Sequence, residues 1–154
     1  MNIFAKLEAG VTTSSAAATR SLARELALAL PADCTLALHG NLGVGKTTFV
    51  QGLAEGFGIH EPVTSPTFNI FTLHRGTKRT LIHLDAYRLE SSRQIDDLMV
   101  EDFLTSPYCM AIEWPEKISD WIPQNTHHLV LSILGPAQHR VILENVARTL
   151  PAGD

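Results

Sequence analysis

Cysteine is scarce: Cys34 and Cys109 are the only two in 154 residues, too few for a disulfide framework or a thiolate metal centre. Each stands just ahead of or inside an apolar run, which reads as a pair of buried reduced thiols. Positive charge is scarce too. Twelve Lys and Arg against sixteen Asp and Glu leave a net charge of −4, which excludes a domain that grips nucleic acid through its own field, because neutralising phosphates needs a basic face. No apolar run reaches the roughly 18 residues of a spanning helix, and the opening MNIFAKLEAG lacks the apolar stretch of a secretory signal. The expectation is a cytoplasmic protein with no membrane contact. Also missing are the Asn/Thr-Lys-x-Asp and Asp-x-x-Gly motifs of a GTPase. An arginine-rich kinase lid is absent as well, since between Glu90 and Asp120 only Arg93 and Lys117 are basic.

What is present is an ordinary globular composition, 45% hydrophobic and 18% charged, without repeats, linkers or low-complexity segments. The length predicts a single domain over residues 1–154 with one core. Ala18, Leu22, Leu26 and Leu30 recur at helical spacing behind a Thr/Ser cluster and before Pro31, predicting a helix from Thr13 to Leu30. TLALHG reads as a buried strand, and Lys46 to about Phe57 as a helix stopping near Gly56 and Gly58. Phe68–His74 and Arg79–Asp85 flank RGTK as an antiparallel hairpin. Ile95, Leu98, Met99, Asp102 and Phe103 place a surface helix on SSRQIDDLMVEDFL, its charges solvated. YCMAIEW is an apolar run closed by Glu113, Pro115 opens a short helix to Trp121, and HLVLSIL and HRVILEN flank the turn GPAQ. The fold class is α/β: a mostly parallel central sheet with added antiparallel strands, flanked by helices.

Gly40 to Thr47 matches G-x-x-x-x-G-K-[ST] at every fixed position, after a strand and before a helix. A random full match in a chain this long has odds of about one in two hundred. Glycines turn such a loop tightly and aim successive N–H groups inward, and the helix N-terminus adds its positive dipole end, so the loop can hold a diphosphate or triphosphate. Lys46 would reach the β- and γ-phosphates and the Thr47 hydroxyl would sit on Mg²⁺. A P-loop also needs a carboxylate for the metal, and Asp85 and Glu113 each close an apolar run where an ionised group is costly unless it meets a cation or leaves the core. The lesser alternative is that each simply caps a strand as it reaches solvent. Thr64 and Thr67 lie on VTSPTF, either a γ-phosphate-sensing loop or a plain turn. Trp114 can stack on a base, on a neighbouring protein or in the core. Arg88 can meet a phosphate or an acidic neighbour. None of the seven histidines shows metal-ligand spacing with cysteine or carboxylate, and only His83, two residues before Asp85, lies near the expected chemistry.

Four separated motifs, GNLGVGKTTF, VTSPTFNI, HLDAYRL and IEWPEK, in this order and at these intervals, closely resemble the TsaE (YjeE) family of bacterial P-loop ATPases, over roughly Ser21 to Pro123. The resemblance implies a P-loop NTPase domain that binds ATP and Mg²⁺ in the biosynthesis of threonylcarbamoyladenosine beside the anticodon of ANN-decoding tRNAs. It implies the proteins TsaB and TsaD as partners, with tRNA met only through that complex. Carried onto this chain, it places Leu42, Gly43, Val44, Gly45, Lys46, Thr47, Thr48 and Trp114 on the nucleotide. Thr47, Glu113 and Asp85 fall on the metal side, with Lys46, Asp85, Glu113 and Thr67 serving hydrolysis. Further nucleotide contacts are expected around Thr12–Ser15 and the AQHR turn. The chain departs from the family at Thr64, where a basic or small residue is usual, and in IDDLMVEDF, which lacks the family's glycine. With no evident arginine finger, slow hydrolysis coupled to a partner is expected. The rival readings are a metabolite kinase and a nucleotide-gated binding module without relevant hydrolysis.

Overall fold

The computed structural model describes residues 2–41, 43–66 and 69–144. One seven-stranded sheet carries the fold, in the order β1-β7-β6-β2-β5-β4-β3. Its centre is parallel: β2 (Cys34–His39) lies between β6 (His127–Gly135) and β5 (Tyr108–Glu113), and β5 pairs with β4 (Thr80–Asp85). Antiparallel pairs extend both sides, β3 (Phe71–Arg75) on β4, and β7 (Gln138–Glu144) with β1 (Val11–Thr13) beyond β6. The expected parallel centre with added antiparallel strands is therefore observed.

Side chains alternate across this sheet and separate two cores. Leu36, Leu38, Leu81, Cys109 and Ala111 face α1 (Ile3–Ala9), α2 (Ala16–Ala29) and α3 (Lys46–Gly56), whose Leu7, Leu26, Phe49 and Leu53 fill that side. Ile82, Leu84, Met110 and Ile112 face the other way, toward Ile95 of α4 (Ser92–Asp97), Val100 and Ile118. Strands buried on both faces read as continuous apolar runs, which is why TLALH and CMAI were recognisable. Both cysteines are free and buried, side by side in register on β2 and β5.

Several expected boundaries move. Thr13 belongs to β1, and α2 starts after Ser15, whose Oγ accepts from the Ala18 amide at 3.0 Å. The short α1, capped by the Asn2 side chain on the Ala5 amide, went unread because seven residues hold too little period to recognise. The helix expected over SSRQIDDLMVEDFL is broken. α4 ends at Asp97, Met99 takes a left-handed φ of 53°, and a 3-10 turn covers Val100–Phe103. Ile95 and Val100 are both fully buried while Met99 and Phe103 are exposed; residues five apart do not share a helix face, so burying both requires the break. Nor is every acid of this segment merely solvated, since Glu101 accepts the Trp121 indole N–H at 3.2 Å. Pro115 opens a 3-10 turn, Pro115–Ile118, in place of the longer helix expected to Trp121. The hairpin strands are Phe71–Arg75 and Thr80–Asp85, and Phe68 lies outside the described residues.

Among the described residues, no helix is long and apolar enough to cross a membrane.

Candidate functional site

Parallel strands deliver their carboxyl ends to one edge, where α/β sheets place their ligands. Here β2 ends at His39 and enters the glycine loop, while β4 and β5 end at Asp85 and Glu113, which stand opposite each other in register. Period-2 alternation puts both acids on the face that Leu81, Cys109 and Ala111 share with α3. The two apolar runs thus bring their closing carboxylates together beneath the start of that helix.

The loop itself needs glycine. Gly43 and Gly45 have φ of 83° and 93°, in the left-handed region that favours glycine, and a Cβ on either would project into open space. Gly45 caps α3 without any side-chain hydrogen bond, so the first amides of an 11-residue helix face the loop. Next to them lies a cavity of about 550 Å³ lined by Gly43, Gly45, Lys46, Thr47, Thr48, Ser65, Ile70, Asp85, Tyr87, Arg88, Glu113 and Trp114. Amides at a helix N-terminus on one wall and carboxylates on another suit an anion that carries its own cation.

Lys46 is 5% exposed; its Nζ donates to the Gly40 carbonyl at 2.7 Å and lies 3.7 Å from the centroid of the Trp114 ring. Burial lowers its pKa from the ordinary 10.5, against the opposing fields of Glu113, Glu116 and Asp85. Trp114 sits in a left-handed conformation at φ 58°, its ring tilted against Tyr87 with centroids 5.0 Å apart. The Thr47 hydroxyl donates to Glu113 Oε2 at 3.5 Å, the long limit of a hydrogen bond. Glu113 is 4% exposed and accepts at the same Oε2 from His83 Nε2 at 2.5 Å. Asp85 accepts from Ser65 Oγ at 3.2 Å and from the Tyr87 amide at 3.0 Å.

Of the residues expected at the site, Gly43, Gly45, Lys46, Thr47, Thr48, Asp85, Glu113 and Trp114 meet around this cavity. The Val44 side chain points into the core, leaving only its backbone to the loop. Leu42 and Thr67 lie outside the described residues. Thr12 and Arg140, from the two regions expected to add nucleotide contacts, are register partners on β1 and β7 and do not line this cavity. Sequence reasoning gave no role to Ser65, Tyr87 or His83. The alternation His83, Asp85, Tyr87 was the available signal, but Ser65 reaches Asp85 only through the fold. Arg88, left open between phosphate and surface pairing, is part of the wall.

Among the described residues no group of three or more His, Cys, Asp or Glu side chains is arranged to hold a metal ion. The hydroxyl of Thr47 and the carboxylates of Glu113 and Asp85 are a hard oxygen set. It fits Mg²⁺, which takes one or two carboxylates and completes its shell with water and phosphate oxygens.

Fold and site together define the class: a mixed α/β domain with a glycine-rich strand-to-helix loop facing two strand-end carboxylates. The family model described as "Threonylcarbamoyl adenosine biosynthesis protein TsaE" matches residues 13–142. The chain is 36% identical over 104 residues to the tRNA threonylcarbamoyladenosine biosynthesis protein TsaE of Treponema pallidum, covering 68% of this chain and 76% of that protein. It is 35% identical over 124 residues to the protein of the same name from Bacillus subtilis, covering 80% and 77%. The crystal structure of Bacillus subtilis YdiB superposes with a TM-score of 0.72 at 28% identity, over 87% of this chain and 82% of that one. This chain belongs to the TsaE family.

Proposed function

We propose that the protein binds ATP with Mg²⁺ in the P-loop cavity and hydrolyses it in support of tRNA threonylcarbamoyladenosine synthesis, acting with TsaD and TsaB. One observation carries the nucleotide reading. The Thr47 hydroxyl and the Glu113 carboxylate meet at 3.5 Å in a cavity that also holds Lys46 and the left-handed loop glycines. A phosphate chain laid on the loop amides at the start of α3 would meet Lys46 at its β- and γ-oxygens. Thr47 and Glu113 would hold Mg²⁺, which supplies charge neutralisation on the phosphates. Asp85, steadied by Ser65 and the Tyr87 amide, would orient water on the metal side. The Trp114 and Tyr87 rings offer an apolar wall. The relatives, tRNA threonylcarbamoyladenosine biosynthesis proteins by name, support the tRNA-modifying role.

The test is the Lys46→Ala variant. It should weaken ATP binding at least about tenfold, the scale of losing a charged hydrogen-bonding partner. In cells lacking the native gene it should fail to restore the modified nucleoside, and the wild-type chain should co-purify with TsaB and TsaD. Unchanged binding and modification would sink this reading. ATP-dependent phosphorylation of a small hydroxyl compound without other proteins would favour a kinase instead.

A further inference from the structure

One buried group in this neighbourhood has no part in the chemistry above. His83 is fully buried on β4, on a face whose other members Leu81, Cys109 and Ala111 belong to the core. An apolar side chain would fill the position at less cost, because a buried imidazole has to be hydrogen-bonded. Among the described residues it makes one hydrogen bond, from Nε2 to Glu113 Oε2 at 2.5 Å, while its buried Nδ1 has no partner among them. The Thr47 hydroxyl falls on that same Oε2. Both donors therefore converge on one carboxylate oxygen, and among the described residues none donates to Oε1.

The neighbouring acid makes this arrangement informative. Asp85, the register partner of Glu113, is already anchored through both of its oxygens by Ser65 and the Tyr87 amide. Two carboxylates at adjacent strand ends repel. Glu113 is the one whose place depends on a side chain from the core.

We propose that His83 is a positioning residue for the metal-bearing carboxylate. By holding Oε2 it fixes the Glu113 side chain, so that the carboxylate would be held ready for a divalent cation that Thr47 would also bind. The proposal rests on the ATP and Mg²⁺ reading above. Hydrogen-bond partners of metal ligands typically account for about 10- to 100-fold in metal affinity or activity.

The experiment uses the full chain as wild type and as His83→Leu, His83→Asn and His83→Gln, each checked for folding by thermal melting. ATP binding is measured by calorimetry in excess EDTA and then as a function of Mg²⁺. His83→Leu should raise the Mg²⁺ concentration for half-maximal enhancement of binding about 10- to 100-fold, with EDTA-condition affinity unchanged. His83→Gln, whose amide can reach the position of Nε2, should recover most of the loss. His83→Asn is too short to do so and stands in if the leucine variant does not fold. A wild-type Mg²⁺ dependence in the leucine or asparagine variant would overturn the proposal. So would an equal loss in EDTA, which marks a structural role, or a glutamine variant no better than leucine. A wild-type chain that binds ATP without responding to Mg²⁺ would instead overturn the underlying reading, and this proposal with it.

Discussion

Lys46 already has partners. Its ammonium donates to the Gly40 carbonyl at 2.7 Å and stacks 3.7 Å from the Trp114 centroid, a cation–π contact of about 0.5–2 kcal/mol at partly desolvated sites. The ammonium has three donors and spends one on that carbonyl, so a phosphate drawing on the others would shift Nζ relative to the indole face. Trp114 emission should report the movement. Trp121 is the only other tryptophan, and its indole is engaged by Glu101 rather than by the cavity, so Trp121→Phe isolates the signal. In that variant, adding ATP and Mg²⁺ should give a saturable emission change with the same midpoint as calorimetric binding, abolished by Lys46→Ala. An emission trace that stays flat while calorimetry shows binding would mean that neither the ring nor the lysine is disturbed.

Among the elements, the glycine loop, its strand and its helix were legible because they combine a fixed motif with a buried apolar run and a helical period over a stretch of local chain. Asp85 and Glu113 stood out for a related reason: each is the first charge after a run that has none. That they would be register partners, that Ser65 would hold one and His83 the other, was not legible, since these contacts join residues 20 to 30 apart and depend on β5 entering the sheet between β2 and β4. The three-residue β1 was lost for want of length, and the break at Met99 because the helical spacing was real but two buried anchors lay on different faces. The helix α3 holds a subtler case. Gly56 reads as a stop signal, yet Gly52 within the same helix has no such local meaning and serves packing. A Cβ there would lie 2.4 Å from the Arg20 carbonyl oxygen and 2.7 Å from the Ala23 Cβ on α2. Gly52→Ala should therefore destabilise despite alanine's better helix propensity, by about 1–2 kcal/mol net of that gain, lowering Tm by about 2–8 °C. A higher Tm would show that α2 and α3 can separate without loss.

At the scale of the whole molecule, acid should unfold the protein from the seam between β2 and β6. His39 closes β2, and His127 and His128 open β6 opposite Leu36 and Ala37, three and two positions earlier in the parallel register. His39 Nε2 and His128 Nδ1 share a hydrogen bond of 2.8 Å, with the two rings stacked 5.1 Å apart. Burial is the main cause that lowers all three pKa values below the ordinary 6.5. The charges around them divide: Glu116 and Glu144 favour protonation of His39, while Lys46 opposes it. His128 meets opposition from His39 and support from Glu144, and His127 meets opposition from His128. The net direction is down, so these imidazoles resist protonation in the fold and accept it once unfolded. Above 6.5 the folded and unfolded chains are alike at these positions and the full stability is present. As pH falls below that value the unfolded chain takes up protons that the fold refuses, and stability declines until the lowered folded pKa values are passed. Thermal melts from about pH 8 to about pH 5 should show a plateau and then a fall beginning near neutrality, before carboxylates titrate. His128→Gln removes one resisting group and the repulsion between the pair, and should flatten that fall. An unchanged slope would assign the acid sensitivity elsewhere. Because His39 directly precedes Gly40, loosening this seam unseats the strand end that carries the glycine loop. ATP affinity should weaken over the same pH interval in the wild type, and less in His128→Gln.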